Sequence, residues 1–172
     1  MFIAANIFEF DYNYMGKTNE IYWEFIIYNK HTPIDNDELI SILDLDTAYL
    51  DRGASIKHGL LKCGEYHWML KSPTVETFDG EEVLTPMLNI IEPCVDKLAE
   101  YIRNNGCSAR FCVVVEYYYD SFPGGIGASH RMIDICHKLN ADIDPDIYIM
   151  NNKKYKTKRK TIYMDDAGNY SI

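Results

Sequence analysis

Three constellations in the chain bring together residue types able to do chemistry. His130, Asp134 and His137 stand at i, i+4 and i+7 of a short helical stretch. At 100° per residue they share one face, opposite Met132, Cys136 and Leu139. Imidazoles and a carboxylate so placed can hold a divalent metal, but a closed zinc site needs four ligands and no fourth is signalled nearby. A solvated helix face gives the same pattern. Asp142, Asp144 and Asp146 form D-x-D-x-D, the opening of a calcium loop. Such a loop continues with glycine and a distant bidentate glutamate. Here Ile143, Ile147 and Ile149 alternate with the acids, so the segment reads as a strand with carboxylates on its outer face. The third is FPGGIGAS, residues 122–129, whose glycines precede a helix and could offer N–H groups to an anion. It lacks the GK[ST] of a P-loop and the acidic ribose ligand of a dinucleotide fold. Glycine and proline at 123–128 also mark an ordinary loop.

No serine or cysteine nucleophile sits in a recognisable setting, and HExxH does not occur. The expectation is therefore a protein with no catalytic residues, no cofactor and no metal. Five cysteines, at 63, 94, 107, 112 and 136, are odd in number and include no CxxC. They read as reduced thiols, with Cys94, Cys112 and Cys136 as small buried hydrophobes. Fourteen tyrosines are a better lead. Tyr117, Tyr118 and Tyr119 run in a row, which sends rings to both faces of a strand end. Tyrosine is enriched where binding energy concentrates, and sheet propensity alone also favours it here.

The elements that must position these residues are legible in outline. IYWEFIIYN, residues 21–29, is apolar on both faces apart from Glu24, which suits a central strand. Asp35 as N-cap with Glu38 at N3 predicts a helix, and Ile34 with Leu39 fits a hydrophobic staple. Strands are predicted around residues 55–61 and 66–71, joined by a turn at Cys63-Gly64. A long helix is expected to open at Thr85-Pro86, to be disturbed at Pro93, and to end where Gly106 takes a left-handed C′ position. Residues 108–120 make the strongest strand. A helix over 129–139 and a strand over 142–150 follow. The order is β-α-β-β-α-β-α-β. It predicts an α+β fold: a mostly antiparallel sheet with two to three helices packed on one face.

A chain of 172 residues with 47% apolar content can build one full core, burying roughly 70% of its unfolded surface. No stretch approaches the roughly 20 apolar residues of a membrane span. MFIAANIFEFDYNY lacks the basic flank and cleavage site of a signal peptide, so a cytoplasmic protein is expected. Net charge is −9, unevenly spread. Residues 151–172 hold six Lys/Arg, at 153, 154, 156, 158, 159 and 160, against two Asp, which leaves −13 on residues 1–150. An acidic body disfavours phosphate backbones and favours a basic protein partner. The basic run reads as a solvated tail or hairpin.

Residues 53–73, with Trp68, Leu70 and Ser72 as a W-x-L-x-S strand, and residues 117–150, closing on Asp144, Asp146, Ile147 and Tyr148, resemble the bacterial family known as domain of unknown function 4279. The resemblance spans roughly residues 20–150. It makes residues 1–19 an N-terminal extension with a possible extra strand, and 151–172 a basic C-terminal tail. It carries over no catalytic residues. Small acidic α+β proteins of this type resemble immunity proteins, which implies a domain that neutralises a bacterial toxin by direct binding. The expected partner-binding residues are Tyr117, Tyr118, Tyr119, Asp120 and Asp142. Two other readings stay open: a small-ligand protein or enzyme using the loop at 123–128, and a mobile-element inhibitor whose acidic surface mimics nucleic acid.

Overall fold

In the computed structural model the described residues are 18–45, 47–118, 126–150, 163–164 and 170–171. β1 (Glu20–Asn29) is the organising strand. Its odd-numbered residues Ile21, Trp23, Phe25 and Ile27 are at most 1% exposed, while the even-numbered ones stay half-buried. That strict alternation means one face is fully buried and the other only partly so. β1 pairs antiparallel with β3 (Tyr66–Lys71) on one side and β5 (Ser108–Tyr118) on the other. β2 (Ser55–Leu60) adds to β3, and the short β4 (Val75–Glu76) pairs with the start of β1. β6 (Ala141–Met150) lies parallel to β5. The order is β2-β3-β1-β5-β6. The sheet is thus mostly antiparallel with one parallel pair, as a β-helix-β crossover requires.

The helices α1 (Asn36–Leu43), α2 (Thr47–Asp51), α3 (Gly80–Ile91), α4 (Val95–Asn104) and α5 (His130–Leu139) contribute to one core with the covered face. Leu39, Leu84, Leu88, Leu98 and Met132 are fully buried there, against Phe25 and Phe111, whose ring centroids are 4.8 Å apart. Caps set the helix starts. The Asp35 carboxylate accepts from the N–H groups of Asp37 and Glu38. The Asp35 N–H, which Glu38 was expected to satisfy, instead donates to the Tyr101 hydroxyl at 3.2 Å. Ser129 caps α5 by accepting from Met132 N–H.

The long helix begins earlier than expected. Its N-cap is Asp79, accepting from Glu81 N–H, and Thr85 lies inside it, donating its hydroxyl to the Glu81 carbonyl. Pro86 is therefore an interior proline rather than the N1 residue. It is exposed, so the Glu82 carbonyl it leaves without a donor is on the side open to water. Pro93 does break the axis: Glu92–Cys94 is a 3-10 turn between α3 and α4. α4 ends in a Schellman motif, with Gly106 at φ +61°, Gly106 N–H on the Arg103 carbonyl and Cys107 N–H on the Ile102 carbonyl.

The W-x-L-x-S strand has a mechanical role. Trp68, Leu70 and Ser72 alternate onto the covered face and are all 0% exposed. Trp68 Nε1 donates to Asn36 Oδ1, tying α1 to the sheet. Ser72 Oγ accepts from Trp23 N–H at 2.9 Å, while Ser72 N–H donates to the Trp23 carbonyl. Trp23 Nε1 in turn donates to the Gly80 carbonyl at the start of α3. In the C-terminal region Tyr163–Met164 pairs antiparallel with Tyr170–Ser171; the basic run 153–160 lies outside the described residues.

Candidate protein-binding surface

No described helix covers the other face of the sheet. Its rows follow from register. Lys71, Glu24, Cys112 and Asp144 lie side by side across β3, β1, β5 and β6. Met69, Ile26, Arg110 and Asp142 form the next row, and Tyr22, Val114 and Asp146 lie on the other side of the first. Beyond them come Glu20, Glu116 and Tyr148. Charge is segregated along this face. Lys71 and Lys57 occupy the β2–β3 side, and the acids concentrate toward β6.

Lys71 and Arg110 are engaged within the face. Lys71 Nζ lies 3.4 Å from the Tyr22 ring centroid, and the Arg110 guanidinium 5.7 Å from that of Tyr28. Arg110 Nη1 also donates to Asp144 Oδ2 at 2.9 Å. Asp142 is exposed. Asp146 accepts from the Tyr148 hydroxyl at 2.8 Å. The acids leave their mark on neighbouring groups. Burial, reinforced by Glu24, Asp144 and Asp146 and opposed by Arg110, pushes the Cys112 thiol up to about 11. It is therefore a thiol rather than a thiolate at neutral pH, without nucleophilic character. Burial also raises the Glu24 carboxyl, against the pull of Lys71 and Lys57. The hydrogen bond to Asp146, then that carboxylate's charge, raises the Tyr148 phenol.

The expected anchor residues divide. Tyr117 packs against the core on the helix-covered side, whereas Tyr118 projects to the open face and donates to Glu20 Oε1 at 3.0 Å. The two rings cannot form one patch, because successive residues of a strand point to opposite faces. Tyr119 and Asp120 lie outside the described residues. Asp142 sits on the open face as an outer carboxylate. Tyr22 and Tyr28, which were not singled out from sequence, and Tyr148, named there only as part of the closing strand motif, also lie on the open face. The period-two alternation of IYWEFIIYN and DIDPDIYIM was the available signal.

His130, Asp134 and His137 are exposed on α5, and among the described residues no group of three or more His, Cys, Asp or Glu is placed to hold a metal ion. Of the glycine-rich loop, residues 122–125 lie outside the described residues; Ile126 packs on the core and Gly127 is exposed. The cysteines are free, with Cys94, Cys112 and Cys136 buried and Cys63 exposed. Cys112 is buried on the open face rather than in the main core. Among the described residues no helix is long and apolar enough to cross a membrane.

No curated protein and no solved structure matches the chain. The family model described as a domain of unknown function (DUF4279) matches residues 19–150, from the start of β1 to the end of β6. The chain belongs to that family, whose matched span contains the whole sheet and every helix described above.

Proposed function

We propose that this chain is a non-catalytic protein-binding domain of the immunity type, which neutralises a bacterial toxin by direct contact with a basic surface. The carrying observation is the sheet face that no described helix covers, where Asp142, Asp144 and Asp146 line up along β6 with exposed Tyr148 beside them. A body at −13 attracts a basic partner over a Debye length of about 8 Å at physiological salt. Attraction gives speed; a desolvated aromatic contact gives a slow off-rate. Tyr148 and Tyr118 are the aromatic candidates on that face. Mimicry of nucleic acid draws less support, because Arg110 pairs with the middle carboxylate and interrupts the row.

Replacing Asp142 and Asp146 by Lys lowers the association rate and flattens its salt dependence, and Tyr118→Ala or Tyr148→Ala raises the dissociation rate, by about 2 kcal/mol at a hot spot. The partner assay is co-expression of the full chain with the product of the adjacent gene in a sensitive host. Rescue of growth with co-purification supports the reading; failure of both overturns it.

A further inference from the structure

We propose that the outer edge of β6 is a strand-addition site, taking an extended segment of the partner in which basic and apolar side chains alternate. This rests on the protein-binding reading and specifies its chemistry. β6 ends the sheet order, and among the described residues its only strand partner is β5. Alternate backbone N–H and C=O groups along a strand face opposite neighbours, so half of those in β6 point outward. At ten residues it is a long strand to leave at an edge.

The side chains flanking that edge define what fits it. On the open face stand Asp142, Asp144 and Asp146, about 6.6 Å apart along the strand. On the opposite face stand Ile143, Ile147 and Ile149, which are 42%, 51% and 76% exposed. They occupy the side that is core in β5, where Phe111, Val115 and Tyr117 are their register partners. The helix layer leaves them exposed. An incoming strand with Lys or Arg at every second position would set cations opposite the acids and aliphatic groups against the isoleucines. Main-chain bonds supply affinity in such additions, and alternate side chains supply selectivity. Arg110 already compensates Asp144, which leaves Asp142 and Asp146 as the selective positions.

The same features disfavour a second copy of this chain. An antiparallel pair of β6 edges about an axis normal to the sheet would bring two acidic rows onto one face, where like charges opposite each other repel. Pro145 removes one donor and is a familiar guard against edge-to-edge self-association. Neither device repels a basic strand.

The probe is the peptide acetyl-Lys-Ile-Lys-Val-Lys-Ile-Lys-amide, titrated onto the full chain alongside its all-Glu counterpart. Two N-methylated forms, one methylated at residues 2, 4 and 6 and the other at 3 and 5, are run in parallel. Amide exchange of β6 is followed throughout. The Lys peptide should slow exchange of outward amides between Ala141 and Met150, and the Glu peptide should bind at least about tenfold more weakly. One N-methylated form should lose at least about tenfold and the other should not, because only alternate N–H groups face the edge. Equal binding of both N-methylated forms with no β6 protection would overturn the edge site. If Asp142→Lys with Asp146→Lys still weakens the Lys peptide in that case, contact through the sheet face survives. Failure of the protein-binding reading itself is read separately, from the co-expression assay. A further overturning outcome is that outward β6 amides are slow in the free chain and speed up when Lys154, Lys156, Lys158 and Lys160 are changed to Glu. The chain's own basic run would then fill the edge, and the proposal would be overturned.

Discussion

Trp23 and Tyr22 are neighbours on β1, yet they live under different rules. Trp23 is 1% exposed, with its indole N–H on the Gly80 carbonyl, among residues supplied by β3, β5 and the helices. Tyr22 lies on the opposite face under the Lys71 ammonium, beside Val114 and, beyond it, Asp146. On the covered face, shape and buried hydrogen bonds decide, and a lost atom leaves a cavity. On the open face, charges and aromatic rings remain within reach of water, so they do little for stability and stay available to a partner. The fold places its buried core on one side of the sheet and its charged and aromatic surface on the other.

The largest effect should separate those sides. Trp68→Ala removes a fully buried indole and its bond to Asn36, and should destabilise by about 3–5 kcal/mol. Tyr148→Ala, on the open face, should stay within about 0.5 kcal/mol. Urea unfolding of the two variants makes the comparison. Similar losses would mean that the open face is part of the core.

Ser72→Ala comes next. Ser72 is 0% exposed and its hydroxyl accepts from Trp23 N–H, so alanine leaves a buried donor unpaired and should destabilise by about 1–3 kcal/mol. A neutral outcome would show that the Ser72–Trp23 contact is dispensable and that the strand holds through its indole and leucine alone. A smaller contrast lies in the thiols. In native protein Cys63 should react promptly with a thiol reagent, while Cys94, Cys112 and Cys136 should wait for denaturant. Rapid labelling of Cys112 would show that the acidic side of the sheet opens readily in solution.

The covered face was the more legible of the two in sequence. YHWMLK became β3 at Tyr66–Lys71, and Ser129 capped α5, because each carries its own local signal. The start of α3 was misread because Thr85-Pro86 is a strong local signature. It was outweighed by Asp79, followed at N3 by Glu82, whose carboxylate accepts from the Thr77 hydroxyl. The open face was hidden for a different reason. Tyr22, Ile26 and Tyr28 count as apolar, so β1 read as covered on both sides. Only assembly shows that no described helix lies over them. The parallel placement of β6, and with it the exposure of Ile143, Ile147 and Ile149, depends on where the helix layer ends. No residue of DIDPDIYIM encodes that by itself.

The smallest predicted effect tests whether the open face tolerates its charges or depends on them. Glu24 sits in the middle of that face, between Lys71 and Cys112. Burial raises its carboxyl pKa, Lys71 and Lys57 pull it down, and Asp146 pushes it up. A carboxyl raised on folding holds its proton more tightly in the native state than in the unfolded chain. Its contribution to stability is then fully present below the unfolded glutamate pKa of about 4.3, and is lost as pH rises through the higher native value. Glu24→Gln keeps the size of the group and removes the charge. The variant should match the parent at about pH 3.5, where both side chains are neutral, and exceed it at about pH 7. The gain should stay below about 1 kcal/mol, because the side chain is half-exposed and Lys71 is beside it. Urea midpoints of both proteins at the two pH values measure it. A Gln variant less stable than the parent at neutral pH would mean that the Lys71 attraction outweighs desolvation. The open face would then be held together by its charges, and the division of labour between the two faces would be less sharp than the burial pattern of β1 implies.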